Sequence, residues 1–215
     1  YSKRPFAPPQ LVRALLIQLV RNVGVSPTNV TVYDATYADY IPRAIYNDCQ
    51  TSELAGVHFA DGNGGSGREK ASVDTTVSVS HADTGLTNHY LPLCVTRAAY
   101  VINLADLKGH TLAGVTLCGK NHFGSIYPAG DTKFWPGLPI HSRVNAFEYI
   151  GGGLNCPTRP ANSCEALVDV MGHRDLGEKT LLFLINGLYA VSGQQSDIEP
   201  ASGQGLSTPC NHHWP

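Results

Sequence analysis

Apolar positions recur at helical spacing between Pro9 and Val23. Leu11, Val12, Leu15, Leu16, Leu19, Val20 and Val23 fill one half of a helical circumference, and Arg13, Gln18 and Arg21 take the other. Gly24 is a natural stop. From Asn29 to Thr36 the period changes to two, with Val30 and Val32 alternating with polar residues, which predicts a strand. A short helix is expected over Pro42–Cys49, then strands over Gly56–Ala60 and Ser72–Ser80, the latter alternating through Val73, Thr75, Val77 and Val79. Ala98–Leu107 is almost uninterruptedly apolar, as a central strand buried on both faces would be. The pattern then predicts helices over Thr111–Lys120, His141–Ile150 and Ser163–Leu176. The last is opened by Asn162 or Ser163 as cap, with Glu165 in its first turn. Lys179–Ile185 is a second strongly apolar strand.

Helices that alternate with buried strands indicate an α/β domain, a three-layer arrangement of a largely parallel sheet with helices on both faces. The 215 residues suit one such domain, with an irregular C-terminal tail over about 193–215. A chain of this length buries enough surface to fold without a metal or a disulfide.

Composition narrows the function classes. A net charge of −2 removes the basic field that non-specific nucleic-acid binding needs. No apolar run reaches the ~18 residues of a membrane span, and the longest, Leu11–Val20, is broken by Arg13 and Gln18. Nine histidines against fifteen Lys and Arg keep a divalent metal in view. The six cysteines contain no C-x-x-C pair, so zinc-ribbon, thioredoxin and iron–sulfur readings lack their motif. Cys156 and Cys164 bracket a Pro-rich loop that a short disulfide would close. The alternative is six buried thiols, since free cysteine is itself a core residue. The even count, in a chain that opens Tyr-Ser-Lys-Arg without an initiator Met, suggests an exported, processed product in a periplasmic or extracellular setting.

The densest polar cluster follows the strand Ala98–Leu107. Lys108 and His110 flank Gly109 where a helix is expected to begin at Thr111, and free N–H groups beside a Lys and a His make an anion site. Lys120, Asn121 and His122 close the expected helix, and Gly119 and Gly124 allow the chain to turn back toward the same crevice. In this reading His110 transfers protons, Lys108 and Lys120 stabilise a carboxylate, enolate or phosphate, and Asn121 binds the ligand. His110 and His122 are the candidate metal ligands. The competing reading makes both lysines solvated and both histidines structural.

The stretch Val101–Gly124, with its apolar strand, Lys-Gly-His, Gly-Val-Thr and Lys-Asn-His-Phe-Gly, resembles the signature of the domain of unknown function 362 family. The likeness extends over Pro9–Val20, Gly24–Asp34, Gly56–Arg68 and Ala166–Ala190. It implies a fold like that of the lactate-racemase-like superfamily and adds Asp34 and Arg68 to the ligand-binding positions, beside Lys108, His110, Lys120 and Asn121. Family members usually continue beyond both ends of this chain, and some carry ferredoxin modules. Two departures stand out: Asn186 occupies a position where the family often has Asp, and iron–sulfur spacing is absent.

Three further patterns carry less. Gly62-Asn-Gly64-Gly-Ser-Gly67 fits G-x-G-x-x-G, but the residues after it alternate like a strand, so a flexible turn is expected rather than a dinucleotide loop. His81, Asp83 and His89 are irregularly spaced for metal ligands. There is no G-x-S-x-G elbow for a hydrolase. The leading expectation is therefore a protein that binds a small anionic molecule, with or without a metal ion. A self-associating structural module that keeps the fold without catalysis is the second, and a metal-dependent redox protein the third.

Overall fold

The computed structural model describes residues 7–34, 40–81, 86–110, 114–128, 165–191 and 199–200. The first helix, α1 (Pro9–Ile17), continues through a wider π-helical turn over Gln18–Val23 and ends at Gly24, whose φ of 80° is the left-handed conformation that glycine adopts without strain. Val12 and Leu16, one turn apart, are the buried positions of the apolar stripe, whereas Val23 at its far end is exposed. Strand β1 (Thr31–Asp34), helix α2 (Tyr40–Asp48) and strand β2 (His58–Asp61) pack together, with β1 and β2 pairing in parallel, and the short β3 (Glu69–Lys70) adds a third parallel strand. Val12, Leu16, Ile45, Cys49, Leu54 and Phe59 make one core between these helices and strands. The Tyr46 ring meets Phe59 edge-on at 5.3 Å. Each such fully buried aliphatic or aromatic side chain contributes about 1.5–3 kcal/mol.

A second core lies under the antiparallel pair β4 (Val73–His81) and β5 (Leu86–Pro92), which the two-residue β8 (Tyr127–Pro128) extends. Val79, Leu91, Val95, Ile126, Val170 and Leu176 fill it, drawing in helix α3 (Leu93–Thr96) and helix α5 (Glu165–Gly172). Lys179 staples this region. Its Nζ donates to the carbonyls of Val95, Thr96 and Ala98, at the end of α3, and lies 3.2 Å from Asp175 Oδ1.

The third sheet joins β10 (Glu199–Pro200), β9 (Thr180–Val191), β6 (Val101–His110) and β7 (Gly114–Thr116) in that order and carries the two apolar runs. Strand β6 (Val101–His110) and strand β9 (Thr180–Val191) pair in parallel, as buried α/β strands do. β10 (Glu199–Pro200), within the tail expected to be irregular, pairs with Tyr189 and Ala190 of β9. The class is thus α/β, with parallel pairing in the β1-β2-β3 and β6-β9 ladders. The burial expected of Lys179–Ile185 is not uniform, because Leu181, Phe183 and Ile185 are exposed.

One expected element is overturned. The helix expected over Thr111–Lys120 is replaced, where its residues are described, by strand: Lys108–His110 are the last residues of β6 and pair antiparallel with β7 (Gly114–Thr116) in the register Lys108↔Thr116, Gly109↔Val115, His110↔Gly114. After β7 the chain forms only the single helical turn α4 (Cys118–Asn121), followed by a 3-10 turn over His122–Ser125. The physical reason lies in Val115 and Thr116, whose β-branched side chains favour the pleated strand, in a segment whose two glycines weaken a helix. The helix expected over His141–Ile150, the Cys156–Cys164 pair, Asp83 and the last fifteen residues lie outside the described residues. Cys49, Cys94 and Cys118 are free thiols. Burial pushes Cys49 and Cys94 up to about 11, so both stay protonated core residues. Among the described residues, no helix is long and apolar enough to cross a membrane.

Candidate functional site

The expected site residues fall into two groups. Asp34 and Arg68 sit at the carboxyl ends of the parallel pair β1-β2 and line a small cleft with Val32, Pro42, Ile45 and Phe59. Arg68 is a clamp for a carboxylate, but the carboxylate is internal. Its Nε donates to Asp61 Oδ2 at 2.6 Å, and both side chains are only 1% exposed. The other oxygen of Asp61 accepts the backbone N–H groups of Asn63 at 2.8 Å and Gly64 at 2.6 Å. The glycine loop is therefore wound around Asp61. Gly64, at φ 69°, has no room for a Cβ, which would stand 2.7 Å from the backbone nitrogen of Lys70, and a Cβ on Gly67 would overlap the Tyr46 hydroxyl. A strand follows the loop rather than a helix, as its sequence led one to expect. Asp61, the residue that organises this end of the sheet, was not among the expected site residues. Its signal was its position immediately before Gly62.

Lys108, Lys120 and Asn121 come together where β6, β7 and α4 meet. α4 is fastened to β6 by amides. Asn121 Nδ2 donates to Asn103 Oδ1 at 2.9 Å and to the Leu104 carbonyl at 3.2 Å, and Asn103 Nδ2 donates to the Cys118 carbonyl at 2.9 Å. Asn121 thus spends both amide hydrogens on holding α4 in place, a positioning role. One residue earlier, Lys120 Nζ is buried and has no hydrogen-bond partner among the described residues. Burial, and then the charge of Lys108, lower its pKa to about 8. Lys108 stands opposite Thr116 in the β6–β7 hairpin, and the Thr116 hydroxyl is likewise buried without a partner. Residues directly opposite in an antiparallel pair project from the same face with Cβ atoms about 5 Å apart.

Asp106 adds an acid to this cluster. Burial raises its pKa, against the opposing effects of a hydrogen bond from Asn186 and the charge of Lys108. Lys108 is thus the charge that acts on both the buried carboxyl and the buried amine. Asp106 and Thr116 were missed from sequence. A lone Asp in an apolar strand was visible, but its partner Asn186 lies on β9, eighty residues away.

The histidines part company. His110 belongs to β6 by its backbone, and its side chain lies outside the described positions. His122 is buried, with Nε2 at 3.2 Å from the Thr180 hydroxyl and its ring edge-on to Phe183. Burial lowers its pKa to about 4, so it is neutral at physiological pH. Among the described residues no three His, Cys, Asp or Glu side chains converge into a metal-holding group.

What this arrangement offers chemically is a cationic cluster with a buried amine that has no partner among the described residues, a hydroxyl and a nearby carboxyl of raised pKa. Perturbed groups of opposite type gathered in one place mark a functional site more often than a structural one. No curated protein and no solved structure matches the chain. Residues 2–196 match the family described as domain of unknown function (DUF362), and the chain belongs to that family.

Proposed function

We propose that this protein binds a small anionic molecule, a carboxylate or a phosphate, between Lys108 and Lys120. The observation that carries this reading is the buried Lys120 Nζ, which has no hydrogen-bond partner among the described residues. An unpaired buried amine costs about 1–3 kcal/mol, a burden that a fold retains where a ligand supplies the missing acceptors. Lys108 provides the second charge and Thr116 a hydroxyl donor. Asn121 and Asn103 fix α4, and so set where Lys120 points its charge. Burial raises the pKa of Asp106, which makes it a candidate for proton exchange, a role His110 shares in the reading from sequence.

The test is thermal unfolding against increasing phosphate or pyruvate at constant ionic strength, which removes simple screening. A ligand that binds only the folded state raises the melting temperature with concentration. The rise is expected in the wild-type protein and absent in Lys120→Met and Lys108→Met. An identical rise in all three proteins would remove these lysines from the site.

The second reading, a self-associating module, draws on the exposed Leu181, Leu182, Phe183 and Ile185 of β9. Sedimentation of the wild type against Leu181→Ser decides it. A dimer lost in the variant supports association, and a monomer in both excludes it.

A further inference from the structure

We propose that Lys120 is a nucleophilic amine that captures a 2-oxo carboxylate as a covalent imine, with the ligand's carboxylate held against Lys108. This rests on the anion-binding reading above and names its ligand class. Three placements support it. The Lys120 Nζ is buried and makes no hydrogen bond to any described residue, so among them no donor occupies its lone pair and no acceptor holds its protons. It sits two residues after Cys118, whose thiol lies against the Asn103 and Leu184 carbonyls, so the turn that carries it is seated on β6 and β9. The neighbouring cation, Lys108, is fixed in a hairpin opposite Thr116.

A lysine that is desolvated and close to another cation is the general recipe for an amine nucleophile, because both effects disfavour its ammonium form. Here they bring it to about 8, which leaves a working share of free base near neutral pH. A simple carboxylate would use only the charge. A 2-oxo carboxylate uses both features, since its electrophilic carbon is bonded directly to the carboxylate that Lys108 attracts. The step is balanced. The neutral amine adds its electron pair to the carbonyl carbon, and the carbonyl oxygen takes up a proton to give a carbinolamine. Loss of the hydroxyl with the second amine hydrogen then releases one water and leaves the C=N bond. The Thr116 hydroxyl, unpartnered beside Lys108, is a donor for the carboxylate.

The experiment is reductive trapping on the intact chain, with pyruvate or glyoxylate and sodium cyanoborohydride, followed by peptide mapping of all lysines. Lys120 is expected to carry the reduced adduct at least about tenfold above the exposed Lys70, because lowering an amine's pKa to about 8 multiplies its free base by more than that. Acetaldehyde, which lacks the carboxylate, is expected to label it poorly, and acetate to slow trapping by pyruvate. Equal labelling by acetaldehyde overturns the carboxylate assignment. Labelling spread evenly over the lysines overturns the nucleophile. If pyruvate raises the melting temperature yet leaves no adduct on Lys120, the imine is refuted and the anion site stands; with neither effect, both fail.

Discussion

Asn186 Nδ2 donates to Asp106 Oδ1 at 3.0 Å, across a position where β6 and β9 are in direct parallel register. The ladder changes just beyond. Lys108, two residues after Asp106, pairs with Val191, five residues after Asn186, so β9 bulges where the polar cluster begins. Bulges of this kind re-aim side chains beside sites. The amide at 186 matters because it can donate to a buried carboxyl, which a carboxylate cannot.

Asn186→Asp therefore places two acceptor-only groups in contact, and such a pair holds on to a shared proton. The native state then binds more protons than the unfolded chain near neutrality, so stability falls as pH rises. The variant is expected to lose about 1–3 kcal/mol at neutral pH and to recover on acidification. Melting temperatures from pH 4 to 7.5 read this directly, and a slope equal to that of the wild type would show that the introduced carboxylate does not meet Asp106.

Lys120→Met is expected to stabilise the protein by about 1–3 kcal/mol while abolishing anion binding, since it removes an unpartnered buried amine and keeps the side-chain volume. The pH dependence gives a second reading. The folded value is about 8 against an ordinary 10.5. Between those values the unfolded chain holds the proton and the native state does not, so wild-type stability rises with pH over that window and the full burden is felt below pH 8. Methionine should flatten that rise. Denaturant unfolding at pH 7.5 and pH 10 checks both statements, and a destabilised variant would mean that Lys120 has an unseen partner.

Much of the fold was legible because single-face periodicity survives folding. The stripe of Val12 and Leu16 sits in α1, and the apolar runs expected over Ala98–Leu107 and Lys179–Ile185 became strands at Val101–His110 and Thr180–Val191. What failed was the segment after Leu107. Lys108, Gly109 and His110 look like the polar end of a strand, yet they gain their ladder from Gly114–Thr116, a partner no local pattern announces. Strand β5 was missed for the same reason: Thr87, Asn88 and His89 interrupt its apolar alternation, and pairing with β4 makes it a strand. The site was half legible. Lys108 and Lys120 were visible as a cluster, but not the helix-terminus geometry assigned to them, and Asp106 with Asn186 is a long-range product of the β6–β9 register.

His122 should make the protein sensitive to mild acid. Its pKa of about 4, against an ordinary 6.5, means that between those values the unfolded chain binds a proton that the native state refuses. Stability is then intact above pH 6.5, falls as pH drops through the window, and levels off below about 4. His122→Gln retains a group able to hydrogen-bond Thr180 without the titration, and is expected to have a shallower decline of melting temperature between pH 6.5 and 4. An unchanged decline would assign the acid sensitivity to a carboxylate whose pKa the fold lowers, such as Asp175, hydrogen-bonded by Lys179 and Arg174.

The Asp61–Arg68 pair offers the sharpest stability test, because both partners are almost wholly buried and Asp61 also gathers the glycine loop. Taking two charges out of water is expensive, and their attraction repays it only while both are present. Arg68→Met leaves Asp61 charged in the interior with only backbone donors, and is expected to cost about 3–5 kcal/mol. Asp61→Asn removes the charge that faces Arg68 Nε and is expected to cost a similar amount. The double variant removes both charges, and its loss should be smaller than the sum of the two single losses by about 2 kcal/mol or more, a coupling typical of groups in one buried network. Urea unfolding of the four proteins measures that coupling. Additive losses would mean that the two side chains act separately, and that the loop is held by the Asn63 and Gly64 amides rather than by the ion pair.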